Sequence, residues 1–280
     1  MATKAAPLAG AGASAWIGRL APRRWWAKTW PPLGAAAFLI GAWQVVVWSG
    51  WRPDYLLPGP VPVFGRLGQD LRNADLYSAL LTTGTRAAVG FSLALVLGLV
   101  LGLAVSRSAT VRAALGSLIT GLQSMPSIAW FPLAILLFGL SEAAITFVVI
   151  LGAAPAIANG LITGIDHIPP LLLRYGRVAG ARNATLYFRI VLPAALPSFV
   201  GGLKQGWAFA WRSLMAGELL VVIAQRPSLG ARLQFAREFS DAEGLLSMMI
   251  IILLIGIVVD RLFGVAEGWI RHRWGLEQAG

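Results

Sequence analysis

The run AAITFVVILGAAPAIANGLITGI, Ala143–Ile165, carries no charged side chain. About 20 apolar residues in a helix span the hydrocarbon core of a bilayer, so this segment alone reads as a membrane crossing. Moving outward along the chain, the signature recurs: Leu33–Trp51, Ala87–Ser106 and Ala113–Ser141 are also free of charge. Over 280 residues the chain is 57% hydrophobic and 12% charged, against about 25% charged in an ordinary soluble domain. A membrane barrel would alternate apolar and polar residues over ~10-residue strands, and no such alternation occurs. These features define an all-α, polytopic membrane protein.

Six transmembrane helices fit best, at about 33–51, 84–106, 115–140, 143–165, 197–223 and 244–266. The third is interrupted by Pro126 and Pro132, and the fifth carries Lys204, Arg212 and Glu218. Basic residues collect on cytoplasmic loops. With the N-terminus inside, the inner segments hold thirteen Lys or Arg residues and the outer ones six, alongside six acids. The expected topology therefore has both termini in the cytoplasm. Residues 1–32 read as a basic cytoplasmic tail rather than a signal peptide, because the apolar run after Lys4 is weak and Arg19, Arg23, Arg24 and Lys28 follow it. Residues 33–270 form one transmembrane domain with a cytoplasmic loop at about 166–194, and 271–280 a second tail. The pairs Gly98/Gly102, Gly160/Gly164 and Gly202/Gly206 have the G-x-x-x-G spacing, read here as helix packing.

The net charge of +11 follows from those loops, and no nucleic-acid motif accompanies it, so no nucleic-acid partner is expected. There is no cysteine, and His167 and His272 have no partner at ligand spacing, so no metal site is expected. The phosphate-binding G-x-x-x-x-G-K-[ST] is missing, as are G-x-S-x-G and H-E-x-x-H. The expectation is no catalytic residue, no ATP site and no cofactor in this chain, which is not an enzyme. An ion-gradient-driven carrier is the less favoured alternative; it would show its own coupling-ion sites and often inverted repeats, and neither is evident.

Between the fourth and fifth spans lies RVAGARNATLYFRIVLPAALP, Arg177–Pro197, polar, basic and helix-favouring. Gly180 is followed ten residues later by Ile190, then Leu192 and Pro193. This G-x9-I-x-L-P spacing resembles the EAA-type loop of binding-protein-dependent ABC importer permeases of type I. The stretches LLPGPVPVF (Leu56–Phe64), QSMPSIAWFPLAILLFGLSE (Gln123–Glu142), AWRSLMAGELL (Ala210–Leu220) and GARLQFAREF (Gly230–Phe239) are similar to the subgroup for aliphatic sulfonates, taurine and nitrate. Together they cover most of residues 50–275.

The resemblance implies two short helices turning at Gly180 and docking on an ATPase subunit. Gly180, Ala181, Arg182, Leu186, Phe188, Ile190, Leu192 and Pro193 would be the coupling residues. Leu186, Phe188 and Ile190 would be apolar knobs, with Arg182 and Arg189 left in water. One departure stands out: the family's motif glutamate falls on Arg174, and Tyr175 and Gly176 replace its two alanines, so no ionic contact of that glutamate carries over. The resemblance further implies a multi-pass permease subunit in a bacterial cytoplasmic (inner) membrane. A second permease copy, two ATPase subunits holding ATP and Mg, and an extracytoplasmic substrate-binding protein would be its partners. The cargo would be a small oxyanion, aliphatic sulfonates first, with nitrate, taurine or another small anion as alternatives.

An ionised side chain inside a span costs about 2.5–3.5 kcal/mol, so Arg212 and Glu218 need partners or water. They are six residues apart, about 240° around a straight helix. Arg212 either meets an anion in a central cavity or pairs with a neighbouring span, for instance with Glu218 across a kink or from a second copy. Gln123, Ser124, Ser127, Trp207, Trp211, Arg212 and Glu218 are the substrate-path candidates.

Overall fold

The computed structural model describes residues 23–273; most of the two expected tails, 1–22 and 274–280, lies outside the described residues. All the described regular elements are helical: α1 (Arg23–Trp48), α2 (Pro60–Asp70), α3 (Ala74–Arg107), α4 (Ala109–Ser124), α5 (Phe131–Phe138), α6 (Glu142–Asp166), α7 (Pro170–Val178), α8 (Asn183–Leu186), α9 (Leu192–Leu220), α10 (Leu229–Glu238) and α11 (Ala242–Arg273). Two compact units result, one ending at Val61 and the other beginning at Pro62. In the first, α1 stops before Gly50, at φ 65°, and the Trp43 indole N–H donates to the Pro58 carbonyl at 3.2 Å.

Among the described residues five helices are long and apolar enough to cross a membrane: Trp30–Trp48, Ala74–Arg107, Glu142–Asp166, Ala184–Leu220 and Ala242–Ile270. The expected third span is not a straight crossing. Ala109–Ser124 and Ser127–Phe138 meet at 104°, and only if this bent pair counts as one does the number reach six. The break has a local cause. Met125 precedes a proline and is driven out of the helical region, to φ −77° and ψ 132°. Pro126 then has no N–H to continue the ladder, and a 3₁₀ turn, Ser127–Trp130, leads into α5. The second span also begins ten residues earlier than its apolar run implies, because Asn73 caps α3 by accepting from the Asp75 N–H.

Within the second unit α6 lies between α3 and α9. Its buried positions include Ala153, Ala154, Ala156 and Ala158, small residues that let backbones approach where lipid offers no hydrophobic drive. A Cβ on Gly98 would lie 2.8 Å from Ile157 Cβ, and one on Gly160 would overlap Gly202 Cα. The glycine pairs of α3, α6 and α9 are thus used in packing inside the chain.

Charged pairs tie the helices at three levels. Arg112 binds Asp166 at 2.6 and 2.9 Å, joining the start of α4 to the end of α6. Lys204 on α9 meets Asp260 on α11 at 3.3 Å. Arg86 on α3 links Glu142 and Glu218 at the opposite end.

Candidate functional site

The break in the third span shapes a cavity. Its rim is the end of α4 and the turn after it, Gln123 through Ile128; its other walls are Gly152 of α6 and Phe209, Arg212 and Ala216 of α9, enclosing about 390 Å³. Four of the residues singled out from sequence, Gln123, Ser124, Ser127 and Arg212, come together here. Gly152 keeps the wall open: a Cβ there would stand 2.5 Å from Ser213 Oγ and 3.5 Å from Ser127 Cβ. The Arg212 guanidinium lies 5.7 Å over the Phe209 ring. It makes no ion pair among the described residues. Ser124 donates its hydroxyl to the Gly121 carbonyl at 2.8 Å, and Asn159 Nδ2 donates to Gln123 Oε1 at 2.8 Å. The lining holds one cation and no carboxylate.

Trp207 and Trp211 lie elsewhere. They stack at 6.1 Å and form an aromatic cluster with Phe91 and Phe263. With Arg212, Asp260 and Arg261 they line a second, more apolar groove of about 630 Å³ between α9 and α11. Arg212 is common to both walls. Glu218 lines neither. It is 0% exposed and accepts from Thr83 Oγ1 at 2.9 Å, from Arg86 Nη1 at 3.0 Å and from the Gly230 N–H at 3.0 Å.

The pairing of Glu218 with Arg212 entertained from sequence is therefore wrong within the chain: the helix turns the two side chains to different faces, and Arg86 supplies the cation. Arg86 escaped notice because it stands just outside an uncharged run and 132 residues from its partner. Its signal was Glu218 itself, a buried acid that requires a cation. The Leu229 N–H donates to Thr83 Oγ1 at 3.0 Å, so the network also holds the first turn of α10.

At the other end, α7 closes on Gly180 at φ 82°. The Ala181 N–H reaches the Gly176 carbonyl at 2.9 Å and the Gly180 N–H the Arg177 carbonyl at 3.1 Å, the paired bonds of a Schellman stop. The chain restarts at Asn183 and runs on through a π-helical turn, Tyr187–Val191, into α9. The second short helix is thus the lower end of the fifth span. Arg107 at the end of α3 stacks over the Tyr187 ring at 4.7 Å.

The three expected knobs differ in direction. A Cβ on Gly176 would lie 2.8 Å from Leu186 Cδ1 and would overlap Ile190 Cδ1, so Leu186 and Ile190 close the hairpin on itself. Phe188 stays 66% exposed, as do Tyr175 at 71% and Val178 at 89%. Ala181, Leu192 and Pro193 flank the turn and the start of α9, and Arg182 and Arg189 are exposed. Tyr175 and Val178, on α7, were not anticipated; they are further exposed apolar side chains of the same hairpin. Gly176, in place of an alanine, has a packing reason. Among the described residues no group of three His, Cys, Asp or Glu side chains is placed to hold a metal ion.

An all-helical bundle with a broken span, a polar cavity at the break and a helical hairpin at one end is an arrangement suited to a membrane transport component. The chain belongs to the family described as "Binding-protein-dependent transport system inner membrane component", which it matches over residues 94–272. It is 28% identical over 233 residues to the taurine transport system permease protein TauC of Escherichia coli K12, covering 81% of this chain and 84% of that one. It is 27% identical over 248 residues to the nitrate import permease protein NrtB of a Synechocystis species, covering 84% and 87%. Its fold matches a chain of the inward-facing MetNI methionine ABC transporter with a TM-score of 0.60 at 18% identity, covering 70% of this chain and 96% of that one. The chain is an ABC importer permease by family, and its relatives are permeases rather than enzymes.

Proposed function

We propose that this chain is the permease subunit of an ATP-driven importer for a small oxyanion, with an aliphatic sulfonate as the favoured cargo. One observation carries the anion: the cavity at the broken span contains Arg212, hydroxyls and an amide but no carboxylate. A guanidinium presents several N–H groups in one plane and binds two oxygens at once. Among the described residues Arg212 has no counter-ion, so its charge is available to a passing anion. The similarity to permeases named for taurine and nitrate supports the same class, since both cargoes offer oxygens in that geometry.

Gln205, Phe209 and Arg212 follow one another at helical spacing on α9, with Gln205 and Arg212 exposed. Facing lipid, the charge would cost about 2.5–3.5 kcal/mol. A second permease copy covering this face would remove that cost, which supports a homodimer with the path at its centre. The surface of Tyr175, Val178 and Phe188 would dock the ATPase subunits, which hold ATP and Mg, on the cytoplasmic side of a bacterial inner membrane. Both termini would lie on that side and the substrate-binding protein on the other. The helix from Ala184 to Leu220 would carry the ATPase motion into the wall that holds Arg212.

The test is uptake by the complex with its ATPase and binding protein. Arg212→Gln should assemble normally and import about 10–100-fold more slowly, the value of a charge-assisted hydrogen bond. Arg212→Lys, which keeps the charge and loses the fork, should fall less. Normal uptake in Arg212→Gln refutes the path.

A further inference from the structure

The cavity's polarity depends on how one amide is turned. Gln123 has an acceptor on one side of its side-chain amide and two N–H donors on the other. Presented to an anion, the first repels and the second binds. Gln123 Oε1 is occupied: it accepts from Asn159 Nδ2 at 2.8 Å. Gln123 Nε2 makes no hydrogen bond with another described residue, and Gln123 lines the cavity. Asn159 is two helical turns beyond Gly152 on α6, and so on the same face of that helix. It sits in the otherwise apolar run that spans the membrane, where an amide without a partner is costly.

We infer that Asn159 is a positioning residue that sets the sign of the anion cavity: by donating to Gln123 Oε1 it holds the Gln123 N–H₂ group toward the cargo beside Arg212. The inference rests on the anion reading of the cavity. Asn159 does not touch the cargo. It acts through Gln123, and it also ties α4, just before the break, to the central helix.

The experiment uses the assembled permease–ATPase complex with its binding protein in liposomes. The probe is whichever of radiolabelled taurine, ethanesulfonate and nitrate the unaltered complex accumulates fastest. Asn159→Asp keeps the link to α4, because a carboxylate accepts from Gln123 Nε2, but it turns the amide so that Oε1 faces the cavity. Uptake per assembled complex should fall about tenfold, the equivalent of one hydrogen bond. Asn159→Leu, which brings no charge into the span, frees the amide to adopt either orientation and should lose about two- to fivefold. In a Gln123→Leu background neither change should lower uptake further.

Normal uptake in Asn159→Asp or Asn159→Leu overturns the inference and leaves the bond as a helix staple. A loss from Asn159→Asp that persists in Gln123→Leu overturns it as well, because the carboxylate then acts by its own charge. Arg212→Gln, measured alongside, separates the two levels. If it imports normally, the anion cavity itself is wrong. If it is impaired while the Asn159 variants are not, only the positioning role is lost.

Discussion

Replacing Glu218 by leucine should be among the most destabilising single changes in this chain. The carboxylate is 0% exposed and its removal leaves three groups short of an acceptor: Arg86 Nη1, the Thr83 hydroxyl and the Gly230 N–H. Breaking a buried ion pair costs about 3–5 kcal/mol. Here the lower end applies, because Arg86 keeps two bonds to Glu142, at 2.8 and 2.7 Å. The stranded Gly230 N–H adds about 1–3 kcal/mol. The total is roughly 4–6 kcal/mol, and at about 2–4 °C per kcal/mol for a chain of this size the thermal midpoint should drop by roughly 8–24 °C.

The measurement is the fraction of fluorescently tagged protein that survives heating as a single species on size-exclusion chromatography in detergent. Glu142→Gln is the internal comparison. That carboxylate is 37% exposed and Arg86 would still hold Glu218, so about 1 kcal/mol or less is expected. Arg86→Met combined with Glu218→Leu should recover much of the loss, since an apolar pair of similar volume replaces a buried ion pair at little net cost. A Glu218→Leu protein within about 2 °C of the unaltered one, or a double variant less stable than both singles, would refute the account of Glu218 as an anchor.

Cysteines introduced at Arg72 and Glu238 should react with an impermeant thiol reagent on intact cells and one at Arg177 should not; all three positions are exposed and the chain has no background thiol. The opposite pattern inverts the charge-based topology. Gly180→Asp places a side chain at φ 82°, costing about 1–2 kcal/mol. It should leave the spans inserted while weakening ATPase capture and abolishing uptake, whereas near-normal uptake with ATPase bound refutes the docking role. Gly176→Leu, whose Cβ would already overlap Ile190, should pry the hairpin open and raise protease cleavage within 177–190; an unchanged digestion pattern would show that the hairpin packs otherwise.

Most of the bundle was legible because its determinants are local. A span announces itself by an uncharged run of bilayer length, as Ala143–Ile165 does. A turn announces itself by the one residue that tolerates φ 82°, as Gly180 does. The spacing from Gly180 to Pro193 was legible for the same reason. Even the break in the third span had its local mark, the proline at 126.

What the tertiary structure decided is everything that depends on residues distant in sequence meeting at a defined angle. Pro126 marks a break, but the 104° angle between the two helices is seen only in the fold, where Gln123 shares a wall with Arg212. Leu186, Phe188 and Ile190 look equivalent in sequence; the fold turns two of them inward over Gly176 and leaves the third outside. Glu218 required a cation by its burial alone, yet its partner comes from α3, 132 residues away, while the nearer Arg212 is carried around the helix to another face. Asn159 was a single amide in an apolar run until Gln123 was placed beside it, 36 residues distant. Hydropathy and turn geometry act over a few bonds and can be read along the chain. The pairing of buried polar groups is settled by which helix faces touch, and that is decided only once the small residues of α3, α6 and α9 have packed together.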